Sequence, residues 1–347
     1  MVDATRTRAS TPPQRTGSVA FATPAARRRF WLVLSVSLVL ALLFATGLVV
    51  YDNPVPFGNS AFWTVARRRL SSVLVMLFIA LCHALATVAF QTVTTNRIIT
   101  PGIMGFESLY IAIQTAVVYF VGATGLTAFA GTGQFAVQVV LMVGLAVALF
   151  GWLLSGRFAN LQIMLLIGIV IGGGLGSVST FMQRMLSPSE FDLLTARLFG
   201  SVNNAREEYL PLAIPIVIVA ATLLYARSRR LNVMALGKDM ATGLGVNHQR
   251  ELMITLTLVT LLMAVSTALV GPMTFFGFLV AALAYQFAGT SDHRYVLPLS
   301  VVFGFLVMTA AYFVMNHLFR AQGVVSIIIE FVGGTVFLWT ILRRRML

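Results

Sequence analysis

Glu330 is the one acidic residue set well inside a long apolar run, and Glu107 stands near the start of another. A carboxylate in such surroundings costs a few kcal/mol on insertion scales, so it faces protein or a wet cavity. Counted from Val324, Glu330 lies roughly 9 Å deep at about 1.5 Å per helical residue. Gly333 and Gly334 follow within a turn and leave a notch beside it. Two readings stay open for Glu330: a side chain on a solute path or a subunit interface, or a hydrogen-bonded Glu that fixes helix packing. Glu107 follows the sharp break Thr100-Pro101-Gly102 and sits early in a new helix, where the helix dipole favours a carboxylate. A structural role is expected there, with a place on the path as the alternative. The four histidines are scattered and the lone Cys82 sits in an apolar run, so neither an internal disulfide nor a Cys/His metal site is expected. The chain contains no H-E-x-x-H, no G-x-S-x-G and no Walker A sequence. Hydrolysis of a substrate or of ATP by this chain is therefore not expected, and no catalytic residue, cofactor or metal is assigned.

These residues must be positioned by membrane-spanning helices. Of 347 residues, 58% are hydrophobic and 10% charged, with a mean hydropathy of +0.90. A soluble domain carries about 25% charged residues. Ten apolar runs approach the roughly 20 residues a span requires: 30–50, 70–90, 103–121, 135–154, 161–181, 209–226, 252–270, 272–288, 295–315 and 324–342. The 272–288 run is short and opens at Gly271-Pro272. Backbone hydrogen bonds must close within each run, which makes each a helix. The expected fold is an all-α integral membrane protein of about ten transmembrane helices over residues 30–347. Gly168, Gly172 and Gly176 form a small-residue ridge on the fifth span, suited to close packing. Residues 1–29, rich in Thr, Pro, Ala and Arg, are expected to form a disordered tail. Phe30–Val50 is too long for a signal-peptide core.

The net charge of +13 would suggest nucleic acid in a soluble protein, but here most of it flanks the apolar runs. Of the 24 Lys and Arg, 17 fall on the side of the N-terminus and 7 on the other. The positive-inside rule then puts both termini in the cytoplasm. It puts Leu231–Gly245, LNVMALGKDMATGLG, there too, within a polar loop at about 227–251 that opens with Arg227, Arg229 and Arg230. This stretch reads as two short helical turns joined at Gly237 and stopped at Gly243 and Gly245. Lys238 and Asp239 are expected to be exposed, with Met234, Leu236, Met240 and Leu244 as an apolar side. A structured surface loop and a docking site both fit these residues.

Gly237, Ala241, Leu244 and Gly245, followed by Val246 and Asn247, resemble the G-x-x-x-A-x-x-L-G-V-N stretch of the iron–siderophore and cobalamin family of ABC importer permeases. Three further regions are similar to the family in the same order. Arg69, Leu70, Gln91, Asn96, Pro101, Gly102 and Gly105 match its R-L-P-R start, its glutamine and its N-P-L-x-x-P-G-x-x-G. Gly271, Pro272, Phe275, Gly277, Asp292, His293, Arg294 and Pro298 match G-P-I-x-F-x-G and D-H-R-x-x-x-P. The last span matches in shape, with Gly333-Gly334 in place of Gly-Ala-Pro. Departures are Ser71 and Ser72 for Pro-Arg, Arg97 for Pro, Ala281 and Ala282 for Pro-His, and Tyr285 for Arg. His293 is expected to be a loop residue and not a ligand. The Asn-Arg form resembles the iron–siderophore branch, with cobalamin or haem as alternative substrates.

The resemblance runs from about residue 30 to residue 342. It implies a type II ABC importer permease-like bundle that pairs with a second permease subunit, identical or paralogous, in membrane lipid. Two cytoplasmic ATPase subunits and an extracytoplasmic substrate-binding protein are implied as further partners. Gly237, Lys238, Ala241, Leu244 and Gly245 would form the ATPase-coupling surface. Arg69, with Arg67, Arg68 and Arg320, would meet acidic residues of the binding protein. Gln91, Glu107 and Glu330 are the candidates for the translocation path. An ion-coupled secondary transporter is the rival of a different class; it would be expected to carry mid-membrane ionisable relays, and Glu330 stands without one.

Overall fold

The computed structural model describes residues 20–56, 58–122, 131–155, 161–319 and 325–344, and among these no strand occurs. The first helix, α1, runs Pro24–Val50 and starts before the expected Phe30. Thr23 caps it by accepting from the Ala26 N–H at 3.1 Å, and Pro24 supplies a first-turn proline. The expected disordered tail is therefore too long: Pro24–Arg29 is helical and Phe21 is buried against Phe30 and Tyr295. Residues 1–19 of that expectation lie outside the described residues.

Helix α2, Ser60–Val93, is 34 residues long and is capped by Asn59. At about 1.5 Å per residue it is roughly 50 Å long, well beyond a hydrocarbon core of about 30 Å. Arg67, Arg68 and Arg69 thus lie on the helix itself and not in a loop before it. The following helices are α3 (Phe106–Val121), α4 (Thr132–Ser155), α5 (Leu161–Arg184), α6 (Pro188–Leu198) and α7 (Leu210–Ala226). Then come the short α8 (Ser228–Met234) and α9 (Lys238–Gly243), and α10 (His248–Val270), α11 (Phe276–Phe287), α12 (His293–Phe313) and α13 (Val325–Arg344). Among the described residues seven helices are long and apolar enough to cross a membrane, and α3, α11 and α13 are shorter apolar ones. Together these ten coincide with the ten runs in the sequence.

Helix α6 was not expected. It opens on a capping box in which the Ser187 N–H donates to Glu190 Oε2 at 3.0 Å, a pattern that S-P-S-E spells in the sequence.

Helices α2 and α10 form the centre. Helix α2 packs against α1, α7, α10, α11 and α12, and α10 against α2, α4 and α7. Every residue from Cys82 to Thr94 is buried. Short α3 and α11 each follow a stretch of irregular backbone whose Pro101, Gly102, Gly271 and Met273 are buried, as irregular backbone at membrane depth must be. At Gly105, with φ 93°, the chain turns into α3 directly against α5. A Cβ on Gly172 would lie 2.9 Å from Gly105 Cα, so the two backbones touch. Gly168 packs there as well, whereas Gly176 meets nothing within 4 Å and does not share in this contact.

Candidate functional site

At one end of the bundle, α8 and α9 form a compact pair joined at Gly237, whose φ of 91° is open to glycine but strained for other residues. The pair has two faces. Leu231, Met234 and Ala241 are buried beneath it, while Leu236, Met240 and Leu244 are 57%, 66% and 63% exposed. Two expectations are thereby corrected. Met234 does not belong to the exposed apolar side. Ala241 packs inward, where its backbone N–H donates to Gly237 O and its carbonyl accepts from Val246 N–H, both at 3.0 Å. Lys238 and Asp239 are exposed as expected, Gly243 and Gly245 are exposed as well, and Arg229, Arg230 and Arg250 add a basic rim. Exposed apolar residues gathered on a small rimmed surface mark a place for a partner.

Two polar anchors hold this pair to the bundle. The first is Glu251 on α10, which is buried and accepts from Arg227 Nη2 at 2.9 Å and from Arg230. A buried carboxylate is stable only when paired in this way. The second is Asn232 on α8. Its Nδ2 donates to Asp292 Oδ1 at 2.9 Å, and its Oδ1 accepts from the His293 backbone N–H at 2.8 Å. Burial works against the charge of Asp292, but hydrogen bonds from the Arg294 and Asn232 side chains outweigh it and hold the pKa down at about 2.

His293 is not a loop residue: it opens α12, is buried, and places its ring between Asn232 and Thr92 of α2. Sequence reasoning set it aside because one His in a basic loop carries no signal of its own contacts.

Gln91 was a candidate for the translocation path. It is buried within the bundle, and its Nε2 donates to the Arg97 carbonyl at 2.9 Å, which ties the turn after α2 to the helix. Glu107 and Glu330 do come together. Thr274, in the irregular stretch before α11, donates its hydroxyl to Glu107 Oε2 at 2.5 Å, and Glu330 lies near enough to act on the charge of Glu107.

At the opposite end, Arg69 Nη1 donates to the Tyr51 carbonyl at 2.8 Å and Nη2 to the Asp52 carbonyl at 3.1 Å. It closes the C-terminus of α1, a use of arginine that the helix dipole favours. Arg67 and Arg68 are exposed beside it. Arg69, Asp52, Ser72, Asn316 and His317 line a cavity of about 640 Å³. Arg320 lies outside the described residues.

The comparisons with known proteins agree with this arrangement. The FecCD transport family matches residues 30–343. The chain is 55% identical over 328 residues to the petrobactin import system permease protein FatC of Bacillus anthracis, covering 94% of this chain and 93% of that one. It is 34% identical to the petrobactin import system permease protein YclO of Bacillus subtilis, over 80% and 88% of the two chains. The fold matches that of a metal-chelate type ABC transporter in an inward-facing conformation, with a TM-score of 0.75 at 22% identity, over 91% of this chain and 98% of that one. With the family matched across nearly all of its ten apolar helices, the chain belongs to the FecCD transport family.

Proposed function

We propose that this chain is the transmembrane permease subunit of an ABC importer that carries an iron–siderophore complex across the bacterial cytoplasmic membrane, and that its substrate is ferric petrobactin. The observation that carries the reading is the 55% identity to a petrobactin permease over nearly the whole of both chains. The same Bacillus anthracis system has a second permease protein, FatD, to which this chain is 26% identical. The contrast between 55% and 26% favours a paralogous partner over a second copy.

The excess of Lys and Arg at the α8–α9 end supports a cytoplasmic position for that end and for both termini. A separate ATPase then docks on Leu236, Met240 and Leu244, with Gly237 and Gly245 shaping the turns and Lys238 at the rim. The binding protein docks outside, near Arg67 and Arg68. Ala241 supports the docking surface from beneath.

Uptake of labelled ferric petrobactin, hemin and cobalamin by cells with and without this gene tests the substrate. Loss of petrobactin uptake alone is expected; loss of hemin or cobalamin uptake instead would overturn the assignment. For docking, Met240→Asp with Leu244→Asp should abolish copurification of the ATPase and leave the permease folded. Retention of the ATPase by that double variant would remove the docking assignment.

A further inference from the structure

We propose that His293 is a positioning residue that ties movement of the docking pair α8–α9 to the cytoplasmic end of α2; this rests on the importer reading above. Three elements meet at its ring, which is 3% exposed. Asn232 comes from the docking pair, His293 from the start of α12, and Thr92 from the most buried part of the central helix.

The contacts define how the ring is held. Asn232 Nδ2 donates to Asp292 Oδ1, so Asn232 Oδ1 faces His293. That oxygen only accepts, and it lies 2.6 Å from His293 Nδ1, so Nδ1 carries a hydrogen. His293 Nε2 lies 2.6 Å from Thr92 Oγ1. In the neutral ring Nε2 is an acceptor. The Thr92 hydroxyl has one hydrogen and two acceptors in reach, Nε2 and the Val88 carbonyl at 2.7 Å. The Val88 carbonyl lies inside α2 and also faces the Tyr285 hydroxyl at 3.4 Å. It therefore keeps partners when the Thr92 hydrogen turns to His293.

This gives two discrete arrangements of one buried hydrogen bond. With the docking pair in the position described, the ring sits within reach of Thr92. A shift of α8 carries Asn232 and the ring with it, and the Thr92 hydrogen returns to its own helix. A two-state element biased from one site is what energetic coupling requires. The consequence reaches further, because Gln91, next to Thr92, holds the Arg97 carbonyl at the turn that leads to α3.

The test uses the complete importer in lipid vesicles, with ferric petrobactin moved per ATP hydrolysed as the readout. Thr92→Val keeps the shape and removes the hydroxyl, Thr92→Ser keeps the hydroxyl, and His293→Leu removes the ring. Thr92→Val and His293→Leu should assemble and hydrolyse ATP, yet lower the transport ratio about tenfold. Thr92→Ser should restore it. Thr92→Val combined with His293→Leu should be no worse than either alone, since both cut one connection. An unchanged ratio in Thr92→Val would overturn the proposal. So would joint loss of assembly, hydrolysis and transport in Thr92→Val, which would mark a purely structural contact. A parent complex that moves no ferric petrobactin would instead overturn the importer reading, and this inference with it.

Discussion

The guanidinium of Arg97 lies over the ring of Tyr285, 4.5 Å from its centroid, and joins the turn after α2 to α11. Both residues depart from the family pattern that the sequence resembles, Arg97 at a proline and Tyr285 at an arginine. The two departures meet in space. The basic group stands on one side of the contact here, where the pattern puts it on the other.

A cation over a partly buried ring contributes about 0.5–2 kcal/mol. Arg97→Gln and Tyr285→Leu should each destabilise the chain by about that amount. The double variant should lose little more than the larger single effect, because one contact is removed in all three. Tyr285→Phe keeps the ring and gives up only the long hydroxyl contact with the Val88 carbonyl, so it should lose clearly less than Tyr285→Leu in thermal unfolding in detergent. Fully additive losses in the double variant would show that the two side chains act independently.

The Glu251 anchor predicts an order among the arginines. Arg227 is 22% exposed and reaches both Glu251 oxygens, whereas Arg230 is 58% exposed. Removing the buried partner of a buried charge costs on the order of 3 kcal/mol, against at most about 1 kcal/mol for a solvated one. Arg227→Ala should thus lower the unfolding temperature clearly more than Arg230→Ala. Equal effects would mean that Glu251 is held mainly by its surroundings on α10.

At the opposite end the three neighbouring arginines separate by role. Arg69 holds the α1 C-terminus through two carbonyls, so Arg69→Ala should reduce stability. Arg67→Glu with Arg68→Glu should leave stability unchanged and slow association of the binding protein, since exposed charges act mainly on encounter rate. The slowing should fade as salt is raised. An association rate indifferent to both the charge reversal and salt would remove Arg67 and Arg68 from the docking surface.

What the sequence displayed depended on whether the signal was local. The ten apolar runs were legible because burial of about 20 residues leaves a continuous mark. The break at Gly237 was legible because two short turns need punctuation. The inward turn of Ala241 and Met234 was not, because which side of a short helix is covered depends on α10 and α12. The roles of Arg69, Gln91 and His293 were hidden for the same reason. Their partners, Tyr51, Arg97, Asn232 and Thr92, are set by tertiary packing and leave no local trace. Helix α6 is the opposite case, since its capping box at Ser187 was written in the chain and passed over.

Thr274 separates the two membrane carboxylates experimentally. Its hydroxyl donates to Glu107, and no hydrogen bond from that hydroxyl to Glu330 occurs among the described residues. Glu107 Oε1 is buried without a partner, so this carboxylate depends on Thr274 for its other oxygen. Thr274→Val should therefore destabilise the chain by about 1–3 kcal/mol through Glu107 alone. Glu330 is only partly buried and stands on α13, beside Gly333 and Gly334. If it faces the translocation path, Glu330→Gln should assemble normally and slow petrobactin uptake, while Thr274→Val should lower stability and leave uptake per assembled complex unchanged. Full uptake by Glu330→Leu would show that neither charge nor polarity is needed at that position.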